Sequence, residues 1–486
     1  MLQLVIDITL VLATKEDFMK RIVGIFLVVL MLFLFSACTN FGNDNDKIEY
    51  TLSEGGTYYI LSYVGEDVET LVIPEIYNGR PVLEIGDYAF CHHARSEAIY
   101  NDSKIKRVKV EAKLVKIGNG AFLGCSYLEG INIPETVTEI GASAFSGCVS
   151  LEKIEIPLKL THISDSLFNY CVKLESIELH EGIVEIGPRA FLNCSLISEI
   201  SLPAKVEHIG DNAFSMMENL KEIKIPEENE NYVTIDGNLY SKDKKTIIQY
   251  APKNERESFI ISDEVEVIGA YAFAQSSMLK SITIPDTVKS IGMHAFSNCS
   301  ALDNVRIPSE ITEIAERMFM NCTSLKTIEL NDKITKIGFS AFNGCWALEA
   351  IDIPESVTEI GGYAFYNCLS LKSVTLPKGL KELSFATFGD CESLEEISIP
   401  EGIEEIQFDT FASCISLKKV YLPRSVKKIE GGVFRACDSL SDVYFGGSVS
   451  EWKAIEGTYG TLGIIKDDWH SYLGKFVVHC TDGDVG

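Results

Sequence analysis

The stretch FNGCWALEAIDIPESVTEIGGYAF, from Phe342 to Phe365, is one copy of a unit that runs six times without a gap. A cysteine stands three residues after the first phenylalanine, a leucine six after it, and an apolar pair nine and eleven after it. A fixed period of this length is the signature of a repeat architecture. The phenylalanines recur every 23 residues, at Phe296, Phe319, Phe342, Phe365, Phe388, Phe411 and Phe434.

Each unit has the pattern of short strands separated by turns. The I-x-I element at Ile351 and Ile353 alternates with period two, as a strand does. Pro354 follows at once and has no N–H to donate, so the strand ends there. A second apolar pair, Val357 and Ile360, closes the unit, and no segment is long enough for a helix. Because one unit cannot bury its apolar side chains alone, units must stack, and the sequence predicts a β-rich solenoid.

The same period continues towards the N-terminus and is interrupted once. Between Phe214 and Phe273 there are 36 residues more than one unit requires. Asp236-Gly237 stands there between the apolar runs NYVTI and NLYS, a strong hairpin signal. We therefore predict repeats over 86–445 with a β-hairpin insertion at 227–262, and the sequence leaves open whether that insertion recognises a ligand.

The repeats need caps, because a terminal coil would expose its core. Residues 49–85 have strand-like runs separated by turns and are predicted to form the N-terminal cap. Residues 446–486 are predicted to form the C-terminal cap. There Ser448 and Glu451 have the spacing of a capping box before a short helix that carries Trp452, and FVVHC (476–480) has the composition of a closing strand.

The first 48 residues have the features of an export signal followed by a tether. Residues 1–18 are predicted to be an upstream extension, and Lys20-Arg21 precede an apolar run of 14 residues. That run is short for a membrane span and ends in small residues before Cys38, so 19–37 is predicted to be a signal peptide. The pattern resembles a bacterial lipobox, which implies lipidation of Cys38, although Phe35 replaces the usual leucine. An ordinary signal peptide is the alternative. The polar residues 38–48 would form a tether.

Eleven of the 14 cysteines occupy one repeat position. Stacking would place them in a ladder with a spacing of about 5 Å, without the paired short spacings of a metal site. We predict buried free thiols, and disulfides between neighbouring coils are the alternative. Cys91 and Cys480 lie off the ladder and are not placed by the pattern.

The sequence contains none of the common catalytic motifs. The eight histidines are scattered, and there is no G-x-S-x-G, P-loop or H-E-x-x-H motif. The sequence therefore predicts no enzyme, no cofactor and no metal site. With 70 acidic against 43 basic residues and a net charge of −27, the chain also lacks the basic character of a nucleic-acid-binding protein.

The repeat unit resembles the BspA-like type of leucine-rich repeat, over roughly residues 70–445. This resemblance implies a right-handed leucine-rich-repeat solenoid with a parallel β-sheet on a bacterial cell surface. It also implies a family associated with adhesion to host proteins and other cells. We therefore expect a binding or adhesion protein with a protein ligand. The alternative is a structural spacer without a specific ligand.

Strand alternation predicts where a ligand would bind. Residues eight and ten after each phenylalanine should face outward and form one continuous polar sheet. Near its C-terminal end, Lys419 and Tyr421 should lie beside Asp442 and Tyr444. Aromatic side chains dominate interface energies, so these four are the candidate ligand-binding residues. The alternative is that the C-terminal cap, with Trp452 and Trp469, folds over the tyrosines. The other outward pairs are Ser281 and Thr283, Asn304 and Arg306, Thr327 and Glu329, Ala350 and Asp352, Ser373 and Thr375, and Glu396 and Ser398.

Overall fold

The structure is a computed structural model that describes residues 47–91, 103–253, 255–457 and 476–485. The predicted upstream extension (1–18), the signal peptide (19–37) and Cys38 lie outside these residues. The described residues from Ile48 onwards belong to one compact unit, a β-solenoid of about 16 turns with leucine-rich-repeat architecture. No helix in the described ranges has both the length and the hydrophobicity to cross a bilayer.

Most coils contribute a strand to a first sheet, built from the I-x-I element, although the coils that contain Ile154 and Ile177 have no strand there. Proline often follows this element and ends the strand after a few residues. The strands of the first sheet are β3 (Thr70–Ile73), β6 (Arg107–Val110), β8 (Gly130–Ile131), β12 (Glu199–Ser201), β14 (Glu222–Lys224), β18 (Ser258–Ile260), β20 (Ser281–Thr283), β22 (Asn304–Arg306), β24 (Thr327–Glu329), β26 (Ala350–Ile351), β28 (Ser373–Val374), β29 (Glu396–Ser398), β31 (Lys419–Leu422) and β33 (Asp442–Phe445).

In most coils, the apolar pair that closes the unit supplies a second sheet of mostly two-residue strands. These are β5 (Arg80–Ile85), β7 (Lys116–Ile117), β9 (Glu139–Ile140), β10 (His162–Ile163), β11 (Glu185–Ile186), β13 (His208–Ile209), β17 (Thr246–Gln249), β19 (Val267–Ile268), β21 (Ser290–Ile291), β23 (Glu313–Ile314), β25 (Lys336–Ile337), β27 (Glu359–Ile360), β30 (Glu405–Ile406) and β32 (Lys428–Ile429).

Strands of neighbouring coils pair in parallel, in the register of the repeat. Asn304 pairs with Thr327 in the first sheet, and Glu313 pairs with Lys336 in the second. The predicted alternation is present, because Val305 is buried between exposed Asn304 and exposed Arg306. The predicted continuity of the first sheet was wrong. Pairing is interrupted between β8 and β12, between β14 and β18, between β24 and β26, and between β28 and β29.

The repeated phenylalanines form the centre of the core. Their rings are buried and stack on the rings of neighbouring coils, with centroid distances from 4.3 Å for Phe90–Phe122 to 6.0 Å for Phe191–Phe214. From Phe122 onwards, each of these phenylalanines is flanked two residues away on both sides by backbone with positive φ, for example Phe342 by Ser340 at 52° and Gly344 at 75°. Asn and Gly tolerate this conformation well, which explains their frequency in the turn before the cysteine.

The ladder cysteines are buried free thiols, as predicted. Each donates a weak hydrogen bond to the phenylalanine carbonyl of the preceding coil. In Cys345, for example, Sγ lies 3.2 Å from the carbonyl oxygen of Phe319. Burial raises the pKa of the Cys345 thiol well above its ordinary value. Cys480 also carries a free thiol, and both Cys91 and Cys480 are only half-buried.

The segment between Phe214 and Phe273 contains the predicted hairpins, but the inserted part is shorter than the predicted residues 227–262. Strands β15 (Tyr232–Ile235) and β16 (Asn238–Ser241) are antiparallel around the Asp236-Gly237 turn, and β16 pairs antiparallel with β17. However, β17 also pairs in parallel with β19, and β18 pairs in parallel with β20. Tyr250 stacks on Phe273 with the centroids 4.9 Å apart. The second half of this segment is therefore an ordinary coil in which tyrosine replaces the ladder phenylalanine.

The hairpin divides the hydrophobic core into two clusters. Leu239 and Ala251 belong to the cluster on the N-terminal side, whereas Tyr240 and Tyr250 belong to the cluster on the C-terminal side. Among the described rings, Phe214 stacks only on Phe191. Leu239 of β16 thus packs into the N-terminal cluster, and its neighbour Tyr240 packs into the C-terminal cluster.

Short elements close both ends of the described solenoid. At the N-terminal end, β1 (Ile48–Leu52) is antiparallel to β2 (Tyr59–Val64), β2 pairs with β5, and β4 (Ile76–Tyr77) also pairs with β5. At the other end, α1 (Val449–Ala454) begins with the predicted Ser448–Glu451 capping box. Strand β34 (Val477–Cys480) then pairs in parallel with β33, and β35 (Gly483–Val485) pairs antiparallel with β34.

Candidate functional site

The structure brings the four predicted ligand-binding residues together on β31 and β33. Lys419 pairs with Asp442, and Tyr421 pairs with Tyr444. The two tyrosine rings stack with centroids 4.9 Å apart and planes 13° from parallel. Tyr421 is 37% exposed. It faces outward because the alternate residues of both strands are buried in the core.

A third ring, His479, extends this stack, and the sequence analysis did not find it. It lies on β34 in register with Tyr444, and the two ring centroids are 4.8 Å apart. The signal was present in FVVHC, because alternation places Val478 inward and therefore His479 outward. We call Tyr421, Tyr444 and His479 the ring stack.

Two carboxylates hold His479 in place. Its Nε2 lies 2.9 Å from Oδ1 of Asp442, and its Nδ1 lies 3.0 Å from Oδ1 of Asp484. Hydrogen bonds to Asp442 and Asp484 raise the pKa of His479 above its ordinary value. His479 and Ser441 in turn lower the pKa of Asp442. One flanking charge of the predicted site is therefore already paired within the protein.

Lys419 differs from Asp442 in this respect. Among the described residues, it forms no ion pair, although its charge contributes to the lowered pKa of Asp442. The site therefore offers an ammonium group beside exposed aromatic surface.

The cap covers only one end of the ring stack. Strand β34 places His479 on Tyr444, whereas Trp452 is buried and packs against Phe445, with ring centroids 5.5 Å apart. Trp452 therefore does not cover the tyrosines, which differs from the alternative in which the C-terminal cap folds over them. Trp469 lies outside the described residues. On its other side, Tyr421 is in register with the small Ser398.

Apart from the ring stack, a depression lies at the N-terminal end of the first sheet. It has a volume of about 460 Å³ and is lined by residues of β3, β6 and β8, including Val72 and Gly130. Charges around it are paired with one another, Arg107 with Glu129 at 3.5 Å and Lys109 with Glu111 at 2.7 Å. These charges are therefore paired within the protein, whereas Lys419 beside the ring stack forms no ion pair among the described residues.

Neither the ring stack nor this depression has the arrangement of a metal centre. Within the described ranges, no group of three or more His, Cys, Asp or Glu side chains could hold a metal ion. The ring stack provides aromatic faces, one amine and a fixed imidazole, which suit recognition of another molecule.

Comparison with known proteins identifies the repeats. The family model for the BspA type leucine rich repeat region, in six copies, matches residues 84–217, 115–247, 245–368 and 335–455. These ranges together span more than half of the 486-residue chain. A search of curated proteins found no match.

The chain is also similar to proteins of known structure. The chain is similar to a leucine-rich repeat protein from Eubacterium ventriosum, with 23% identity and a TM-score of 0.50 over 81% of this chain and 94% of that one. It also resembles a leucine rich cell surface protein from Faecalibacterium prausnitzii, with 28% identity and a TM-score of 0.48 over 86% and 98% of the two chains. A leucine-rich repeat protein from Bacteroides ovatus has 27% identity and a TM-score of 0.41 over 85% and 97%. On the evidence of its repeats and their fold, the chain belongs to the BspA-type leucine-rich repeat family.

Proposed function

We propose that the protein is a cell-surface binding or adhesion protein that recognises a protein ligand on a host or neighbouring cell. The observation that carries this proposal is the ring stack, in which Tyr421 lies exposed at the end of three stacked rings. Aromatic anchors of this kind dominate protein–protein affinity. Proteins of this family are generally non-enzymatic repeat proteins, which supports binding rather than catalysis.

The proposed location follows from the N-terminal sequence. A basic start, a short apolar run and small residues before Cys38 are typical of an exported lipoprotein. We propose that Cys38 carries the lipid and that the acidic mature chain is displayed on the outer surface. Cys38→Ala should release the protein into the medium or leave an uncleaved precursor. Unchanged partitioning of this variant into the detergent phase would contradict the lipid anchor.

The ligand site is best tested with Tyr421→Ala. Tyr421 has one face on Tyr444 and only the small Ser398 in register on its other side, so its loss should leave the cap in place. The intact exported chain would be used to capture partners from host matrix and from co-resident bacteria. We expect captured partners to bind Tyr421→Ala more weakly while the melting temperature is unchanged.

A matched control is Tyr127→Ala, because Tyr127 is an exposed tyrosine, 54% accessible, in a different coil. Equal binding by both variants would refute the ring stack as the ligand site. A lower melting temperature for Tyr421→Ala would assign the ring to packing of the cap instead.

A spacer role is the second candidate, and one observation favours it. Many exposed charges are paired between successive coils, for example Lys333 with Glu310 at 2.7 Å and Lys372 with Glu349 at 2.9 Å. A surface of this kind is solvated and satisfied, and would bind little. Failure of the intact chain to capture any partner would favour the spacer role.

A further inference from the structure

A second aromatic surface lies on the turns that precede the ladder phenylalanines. Phe339, Phe385 and Phe408 each stand three residues before a ladder phenylalanine, and Tyr363 stands two before one. Tyr363 meets Phe339 and Phe385 edge-on, with centroid distances of 5.7 and 5.1 Å. Phe385 and Phe408 stack at 5.0 Å with planes 9° apart. We call these four residues the aromatic strip.

A glycine makes the strip possible. Gly362 occupies the same repeat position as Phe339 and Phe385, in the coil between them. A Cβ added to Gly362 would lie 2.8 Å from Cζ of Phe385, so any larger residue would displace that ring. The absence of a side chain lets Phe385 lean over this coil towards Tyr363.

The two ends of the strip differ. At one end the guanidinium carbon of Arg317 lies 5.0 Å from the centroid of the Phe339 ring, a cation–π arrangement. At the other end Phe408 is 45% exposed. The same repeat position one coil further holds Gly431, which has no side chain to cover the ring. Within the described ranges, no ring or guanidinium stacks on that face of Phe408.

The charges around this open ring favour a cation. A carboxylate oxygen of Glu430 accepts the backbone N–H of Phe408 at 3.0 Å. Asp409 follows Phe408 directly and pairs with Arg435 at 3.2 Å. Glu430 and Glu405 share the single ammonium group of Lys428. These groups are three carboxylates and two cations, on a chain whose net charge is −27.

We propose that Phe408 binds an arginine or lysine side chain of a basic segment in a partner protein. The partner's cation would lie on the open face of Phe408 as Arg317 lies on Phe339, with the excess carboxylate beside it. This surface uses residues distinct from the ring stack, and the inference goes beyond the function proposed above.

The test uses the full chain and a defined probe, an acetylated and amidated peptide of alternating arginine and glycine. Binding is measured by calorimetry at physiological ionic strength. We expect Phe408→Ala to weaken binding on the order of fivefold, the contribution of an exposed cation–π contact. Phe408→Leu should weaken it similarly, because leucine keeps apolar surface without the ring. The control Trp346→Ala removes a ring that is 50% exposed elsewhere and should change nothing.

Two further comparisons separate this contact from general attraction to an acidic protein. Gly431→Arg should fill the open face and weaken peptide binding more than Gly130→Arg, which adds the same charge where a Cβ meets nothing within 4 Å. A peptide with citrulline in place of arginine keeps the shape without the charge and should bind more weakly. Equal affinities for Phe408→Ala and Trp346→Ala would overturn the proposal. So would equal binding of the citrulline peptide, or Phe408-dependent binding of a neutral glucan, which would assign the ring to carbohydrate.

Discussion

Replacing Phe342 by alanine is expected to destabilise the solenoid by about 4–5 kcal/mol. Phe342 is fully buried, and its ring lies between Phe319 at 5.7 Å and Phe365 at 5.4 Å, nearly parallel to both. Truncating a buried phenylalanine costs ~3–5 kcal/mol. We place this site in the upper half of that range because two stacked pairs are lost together, each worth ~0.5–1.5 kcal/mol beyond burial.

The loss should be local, because each coil contacts only its neighbours. Amide hydrogen exchange, read by mass spectrometry, should accelerate in the coils around Phe342 and stay unchanged near Phe145. Phe408→Ala is the control for an exposed ring and should have little effect on unfolding. Phe214→Ala should cost less than Phe342→Ala, because Phe214 stacks only on Phe191 among the described rings. Uniformly faster exchange along the whole chain would refute the nearest-neighbour reasoning.

Three further predictions concern the ladder, the cap and the hairpin. Cys345 should react with thiol reagents only after denaturation, because the thiol is buried and its pKa is raised, and rapid labelling of the native protein would contradict this. The Asp442 ion pair of His479 should stabilise the cap fully below the unfolded pKa of about 6.5, and this contribution should vanish as pH rises through the higher folded pKa. Titration of His479 by NMR should show that raised pKa, and Asp442→Asn should lower it, whereas an unaltered pKa in the variant would argue against the pairing. Asn229→Ala should cost roughly 2–3 kcal/mol in urea unfolding, because the buried amide makes four backbone hydrogen bonds, and a change near zero would show that water replaces them.

The repeat period was sufficient to predict most of the fold. A ladder phenylalanine such as Phe342 recurs at a constant interval, so its stacking and the inward position of Cys345 follow from the sequence alone. The direction of Tyr421 and Tyr444 followed from the two-residue period of a strand. These predictions succeeded because each depends on local spacing that repeats in every coil.

The parts that could not be predicted depend on contacts across irregular spacing. Tyr250 belongs to the ladder, but it is not a phenylalanine and it follows an insertion, so its register was hidden. His479 joins the ring stack across residues 446–476, over which the sequence has no period. The aromatic strip was missed because Gly362 replaces an aromatic residue in the middle of its column. Its packing depends on the absence of a side chain, which a pattern of apolar residues does not show.

The hairpin between the two core clusters has a consequence for how the chain would unravel. In a one-dimensional array, the boundary between ordered and disordered units rests where the coupling between neighbours is weakest. Around β16 there is no ladder phenylalanine, and the neighbouring side chains Leu239 and Tyr240 belong to different core clusters. Such a site acts as a domain wall, at which unfolding that starts at one terminus would pause. The coils after Tyr250 could then stay ordered while the coils before Phe214 are lost, and the ring stack would keep its shape on a half-melted molecule.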